Sequence, residues 1–201
     1  MLKLHLFGHN YISNMVNATS KYKLKSILSE ADIPQNFLDS PFADLFRYNN
    51  LNKVHKDYDK AELAIVMCMD NRKQLNIPGK FAFILRTGGA RISGNEFKLS
   101  FAIGAGDIKH VALIGHTNCG MVNLTSKKEK IVKGLVENAG WTKEQAENHF
   151  NSFAPFFEIE NETDFVVSEC YRLKEKYPKI SFLPILYKIE DSKLYVITGN
   201  S

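Results

Sequence analysis

Apolar residues along this chain fall into two rhythms. Residues 61–67, 81–85 and 110–115 are short runs with almost no polar interruption, the pattern of strands buried on both faces. Residues 181–189 and 194–198 predict two further strands, with Glu190-Asp191-Ser192-Lys193 as the turn between them. Pro184 places the first of these near a sheet edge, because proline cannot donate to a ladder. Helical spacing fills the gaps. Phe97, Phe101, Ala102 and Ala105 predict a helix over 95–105, halted by Gly106. Thr142-Lys143-Glu144-Gln145 reads as a capping box, and an amphipathic pattern covers 164–177. Cys170 shares a face of that last helix with Val166, Leu173 and Tyr177, which marks it as a core residue.

Strands alternating with helices predict an α/β fold, a mostly parallel central β-sheet flanked by helices. Residues 1–60 differ, being more polar and irregular. They predict one helix over 21–31 and another opening at Ser40-Pro41, where serine can cap and proline suits the first turn. Phe42, Leu45 and Phe46 lie on that second helix at helical spacing and need a surface to pack on. The expected division is an N-terminal helical arm, 1–60, and an α/β domain, 61–201.

Composition narrows the function. The 201 residues are 44% hydrophobic and 24% charged, as in ordinary globular domains. No apolar run approaches the roughly 18 to 20 residues that a membrane helix needs. The net charge of +4, from 26 basic against 22 acidic residues, is scattered along the chain, whereas nucleic-acid binding calls for a basic cluster. No membrane or nucleic-acid partner is therefore expected. Three cysteines, Cys68, Cys119 and Cys170, do not form a disulfide framework. The first twenty residues lack a signal-peptide core, so a reducing cytoplasm is the expected setting. Only five residues are arginine: Arg47, Arg72, Arg86, Arg91 and Arg172. In a lysine-rich chain these stand out, since the planar guanidinium makes forked contacts that lysine cannot.

Ligands of parallel sheets sit beyond the carboxyl ends of the strands. Here those ends carry Cys68-Met69-Asp70-Asn71-Arg72, then Arg86-Thr87-Gly88-Gly89-Ala90-Arg91, then His116-Thr117-Asn118-Cys119-Gly120. Cys68, His116 and Cys119 offer two thiolates and an imidazole, a donor set suited to zinc. Three protein ligands leave a fourth tetrahedral position open, the catalytic pattern. Asp70 and Arg72 lie two apart on an extended segment and can share a side with Cys68. An arginine fork would keep Asp70 ionised and oriented, either to accept a hydrogen bond from bound water or to occupy the fourth position itself.

These motifs closely resemble the β-class carbonic anhydrases: Cys68-x-Asp70-x-Arg72, Arg86 with a following glycine, and Gly115-His116-Thr117-Asn118-Cys119-Gly120. The resemblance is strongest over 61–124 and extends more loosely to the helix at Asp164 and to Tyr187. It implies zinc held by Cys68, His116 and Cys119, with Asp70 and Arg72 as the catalytic dyad. Phe83, Arg86, Gly88, Gly89 and Phe101 would line the substrate pocket. Residues 1–60 would pack on a partner subunit in a homodimer or dimer of dimers. The implied activity is zinc-dependent reversible hydration of carbon dioxide to bicarbonate by a zinc-bound hydroxide. Arg86-Thr87-Gly88-Gly89 stands where the family commonly has Arg-Asn-Ala-Gly, and Pro184-Ile185-Leu186 precede Tyr187 where a glycine is usual. Two alternatives share the same residues. One is a hydrolase of carbonyl sulfide or carbon disulfide, and the other a catalytically silent zinc-binding module closed by Asp70. No histidine among His5, His9, His55, His110 and His149 is singled out as a proton shuttle.

Overall fold

A computed structural model describes residues 20–199. The first nineteen residues of the expected arm, His5 and His9 among them, lie outside the described residues. Along the chain come β1 (Lys23–Ser26), α1 (Pro41–Asn49), β2 (Leu63–Cys68), β3 (Ala82–Thr87), α2 (Glu96–Gly104) and β4 (His110–His116). Then follow α3 (Lys128–Ala139), α4 (Lys143–Phe157), α5 (Glu162–Lys176), β5 (Ser181–Lys188) and β6 (Lys193–Thr198). Among the described residues, no helix is long and apolar enough to cross a membrane.

The strands form one six-stranded sheet in the order β1-β6-β5-β4-β2-β3. The pairings among β3, β2, β4 and β5 are parallel, and β6 runs antiparallel to both its neighbours, β5 and β1. Side-chain alternation sorts β2 cleanly. Leu63, Ile65 and Met67 face a layer containing Phe42, Leu45 and Phe46 of α1, while Ala64 and Val66 face Leu99 of α2 and Val166 and Leu173 of α5. Both faces are covered, so every residue of β2 is buried and the strand reads as one apolar run. The α3–α4 hairpin has its own small core around Val132, Ala146 and Phe150. α4 opens on the expected capping box, with Thr142 Oγ1 accepting from Gln145 N–H at 3.2 Å and Gln145 Oε1 accepting from Thr142 N–H at 2.9 Å.

Three expectations are corrected, and the described part of the N-terminal segment is placed. Residues 21–31 are not a helix: Lys23–Ser26 is the edge strand β1, paired with β6. Its lysines alternate along a sheet edge, and charge at an edge discourages pairing with other chains. Nor does residue 60 divide the core. β1 belongs to the sheet, and the apolar face of α1 is buried in the same cluster as β2, β4 and β5. The residues that needed a surface thus find it within their own chain. Pro184 is interior, since β5 lies between β4 and β6. It stands one residue before the β5–β6 ladder begins at Ile185, so on that side it has no bond to forgo. Finally, β3 is an outer strand with Ile84 45% exposed, not one buried on both faces.

Asn50, just after α1, fastens the N-terminal segment to the sheet. Its buried side-chain amide donates to Ile27 O at 3.2 Å and Leu194 O at 2.8 Å, and its Oδ1 accepts from Leu194 N–H at 2.9 Å. Asn50→Ala strands these backbone groups in the interior. It is expected to cost about 2 to 3 kcal/mol in urea unfolding, the scale of a buried polar group left unpaired.

Candidate metal centre

The sheet's connectivity makes a crevice where the chemistry lies. From β2 the chain moves outward to β3 on one side, and from β4 it moves to β5 on the other. The carboxyl ends of β2 and β4 therefore flank a topological switch point, the usual ligand site of such sheets. Met67 pairs with Ile114, which sets Cys68 and His116 at neighbouring strand ends. Cys119 returns from the turn that follows. Gly115 lets α5 close in on this point, since a Cβ there would stand 2.7 Å from Val166 Cγ2 and 3.2 Å from Glu162 O. From the start of that helix, Glu162 Oε1 accepts from Cys119 N–H at 3.1 Å and pins the returning turn.

Cys68, His116 and Cys119 are all buried, and their ligand atoms lie within 4.8 Å of one another. The two sulfurs are 3.9 Å apart. Tetrahedral zinc with Zn–S bonds of about 2.3 Å would hold them about 3.8 Å apart. His116 Nδ1 donates to Thr117 O at 2.9 Å, so Nε2 carries the lone pair. Among the described residues Nε2 is buried with no hydrogen-bond partner. A buried acceptor left bare is costly unless something binds it, and with two adjacent thiols the donor set fits zinc. A hydrogen bond from the Cys119 thiol, opposed by burial, makes Cys68 the more acidic of the pair. Cys119 is pushed up by its acidic neighbour and by burial.

Asp70 is held from three directions by one residue. Arg72 Nε and backbone N–H each donate to Oδ1 at 2.9 Å, and Nη2 donates to Oδ2 at 2.6 Å. Nη2 also reaches Asn118 O at 2.9 Å, tying the β2 turn to the β4 turn. This fork holds the Asp70 carboxyl well below the usual carboxylate range, against the opposing effect of burial. Oδ2 lies 3.9 Å from His116 Nε2.

The pocket residues are placed less uniformly. Arg86 Nη1 donates to Cys68 O at 3.3 Å and Asp70 O at 3.4 Å, and Nη2 to Lys73 O at 3.3 Å, bracing the β2 turn. Gly88 and Gly89 are buried against Met121, where a Cβ on Gly88 would also stand 3.0 Å from Phe157 Cδ1. Gly89 has φ of 63°, a conformation that suits glycine. Phe83 pairs with Ala64 low in the strand and packs against Gly106, and Phe101 is 55% exposed on α2. Neither Phe83 nor Phe101 is among the side chains packed on the two thiols, which are Ile159, Met121, Val122 and Phe165.

Three contributors escape sequence reasoning. Besides Glu162, Glu190 accepts from Thr117 Oγ1 at 2.8 Å and from Asn118 Nδ2 at 2.9 Å, fixing the β4 turn from the β5–β6 connection. Lys73 is fully buried directly after Arg72. Such charged residues look like surface positions until the distant segments meet. Purified wild-type protein is expected to hold about one zinc per chain, set by the one three-ligand cluster among the described residues. Cys119→Ala should fall to trace zinc by elemental analysis while keeping its circular dichroism spectrum.

A carbonic anhydrase family model matches residues 63–181, from the start of β2 into β5. Comparison with curated protein sequences gives no match. Among solved structures, the carbonic anhydrase of Glaciozyma antarctica is 25% identical with a TM-score of 0.55, over 68% of this chain and 83% of that one. The β-carbonic anhydrase isoform I of Trichomonas vaginalis shares the fold at 18% identity and a TM-score of 0.54, over 84% of this chain and 100% of its own. So does the carbonic anhydrase of Streptococcus mutans, at 18% identity and a TM-score of 0.53, over 82% and 99%. The model's match spans more than half of the chain and takes in the whole Cys68–His116–Cys119 cluster and the Asp70–Arg72 pair. The chain belongs to the β-carbonic anhydrase family.

Proposed function

We propose that this chain is a zinc-dependent lyase that reversibly hydrates carbon dioxide to bicarbonate. One observation carries the reading: a bare, buried His116 Nε2 faces two thiols and stands 3.9 Å from an aspartate that arginine keeps ionised. Zinc bound there would supply Lewis-acid chemistry, making water nucleophilic near neutral pH.

The chain's own residues do the rest. Asp70 Oδ2 is the acceptor that would orient the attacking water, so that its lone pair faces the carbon of the substrate. Arg72 keeps Asp70 ionised and stationary. The three bonds from Arg72 hold the Asp70 carboxylate in a fixed orientation beside the centre, which supports an orienting role for it. Beside the centre lies a cavity of about 570 Å³ walled largely by Met69, Gly88, Met121, Phe150 and Phe157. Met121 packs both on the thiols and into this cavity. Such walls suit a small nonpolar molecule. The same apolar walls favour carbonyl sulfide or carbon disulfide as a second reading, and the two substrates are separated by assaying both.

Exposed Ile84, Phe97 and Phe101, on β3 and α2, offer an apolar surface for a second copy, and we infer a homodimer. Three unpaired cysteines suit a reducing cytoplasm, where the ligand thiols stay available. In stopped-flow hydration, zinc-loaded wild type is expected to turn over carbon dioxide well above the buffer rate. Asp70→Asn should retain zinc but lose roughly a hundredfold in rate, the scale of a lost orienting contact. Hydration by Asp70→Asn at the wild-type rate would remove Asp70 from the mechanism. No hydration by the wild type, with zinc present, would remove the reading itself.

A further inference from the structure

Four buried side-chain polar atoms have no hydrogen-bond partner among the described residues, Lys73 Nζ, Arg91 Nε, Ser93 Oγ and His116 Nε2, and of these His116 Nε2 stands at the end of β4 and Lys73 Nζ follows β2. The proposed metal accounts for His116 Nε2 and leaves Lys73 Nζ unexplained. Lys73 is 1% exposed and is the one buried lysine among the described residues. Surface lysines extend into water, and burying this one without an acceptor is costly whether the amine is charged or neutral. The groups whose charge bears on it are Cys68, Arg86, Cys119 and Asp70. Asp70 is already engaged by Arg72, and the thiols by whatever occupies the centre. Arg86 meets only backbone carbonyls, one of them that of Lys73, and forms no ion pair among the described residues. An amine and a guanidinium thus share the β2 turn with no anion assigned to either. Burial pulls the amine down to about 8, leaving a substantial neutral, nucleophilic fraction near neutral pH.

We propose that Lys73 is a carbamylation site, whose neutral amine reversibly takes up carbon dioxide to give a lysine carbamate paired with Arg86. The choice of carbon dioxide rests on the proposed function. In the step, the Nζ lone pair forms a bond to the carbon of carbon dioxide, and one carbon–oxygen π pair moves onto oxygen. A proton leaves nitrogen for solvent. Nothing is oxidised or reduced, and the reverse step regenerates the free amine. The product leaves one N–H on the buried nitrogen and places an anion beside Arg86, whose guanidinium meets only carbonyl oxygens. It also adds negative charge directly after Arg72, so the state of the turn would follow the level of dissolved carbon dioxide.

The test uses the zinc-loaded full chain, equilibrated with ¹³C-bicarbonate and carbon dioxide at about pH 7.5. Triethyloxonium traps any carbamate as its ethyl ester, and peptide mass spectrometry locates it. The Lys73 peptide is expected to carry the ¹³C ethoxycarbonyl group more than about tenfold above the peptides of exposed Lys60 and Lys133, because ordinary lysines near 10.4 are almost wholly protonated at that pH. The label should disappear when carbon dioxide is purged before trapping, and also in Lys73→Met and Lys73→Arg. Labelling of Lys73 at or below the level of the exposed lysines overturns the proposal. So does a bicarbonate effect on stability without any label, which would mean a noncovalent anion. The hydration rate of the same preparation keeps the two readings apart. Label without hydration sinks the proposed function and leaves the site standing, whereas hydration without label does the reverse.

Discussion

Parallel pairing of β2 with β4, in the register that sets Met67 against Ile114, is the constraint from which the centre follows. The side-chain period of a strand is two, so a slip of one residue would turn Cys68 toward the α1 face and undo the layering. Helices on both faces fix the register by burying alternate apolar residues of β2 on opposite sides. The same burial keeps Cys68 and His116 dry, and a dry site makes the bare imidazole nitrogen and the thiols avid for a cation. Stability and chemistry here draw on one arrangement.

Charge around the centre is handled by guanidinium groups in two different ways. Arg72 engages a carboxylate through a fork and links the β2 and β4 turns. Arg86 holds only carbonyl oxygens and so shapes the β2 turn without neutralising anything. A lysine could reproduce neither geometry, having a single point of charge. Their scarcity in a lysine-rich chain therefore has a structural meaning at these two positions. Glu162 and Glu190 complete the frame by accepting from the turn after β4, one from α5 and one from beyond β5.

Much of the parallel core was legible from the sequence, because strands covered on both faces must be apolar throughout, as in β2 and β4. The Cys68–His116–Cys119 cluster was legible for a similar reason: few residue types bind metals, and these stood at strand ends. The outer parts of the sheet were harder. Lys23–Ser26 has a composition compatible with helix, and only the free edge of β6 makes it a strand. Pro184 suggested an edge, but the ladder it would have broken simply starts one residue later. Phe81–Leu85 resembles the central strands, yet β3 ends the sheet and Ile84 on it is exposed.

By itself, then, the sequence determined the layered α/β core, the grouping of Cys68, His116 and Cys119 and the Asp70–Arg72 pair, all of which rest on local pattern and residue chemistry. Tertiary structure decided what depends on segments far apart in the chain. It folded α1 onto its own sheet, brought Glu162 and Glu190 to the turn after β4, and left His116 Nε2 bare. It also buried the amine of Lys73, a residue whose surroundings no local pattern could reveal, since burial is a property of the packed whole.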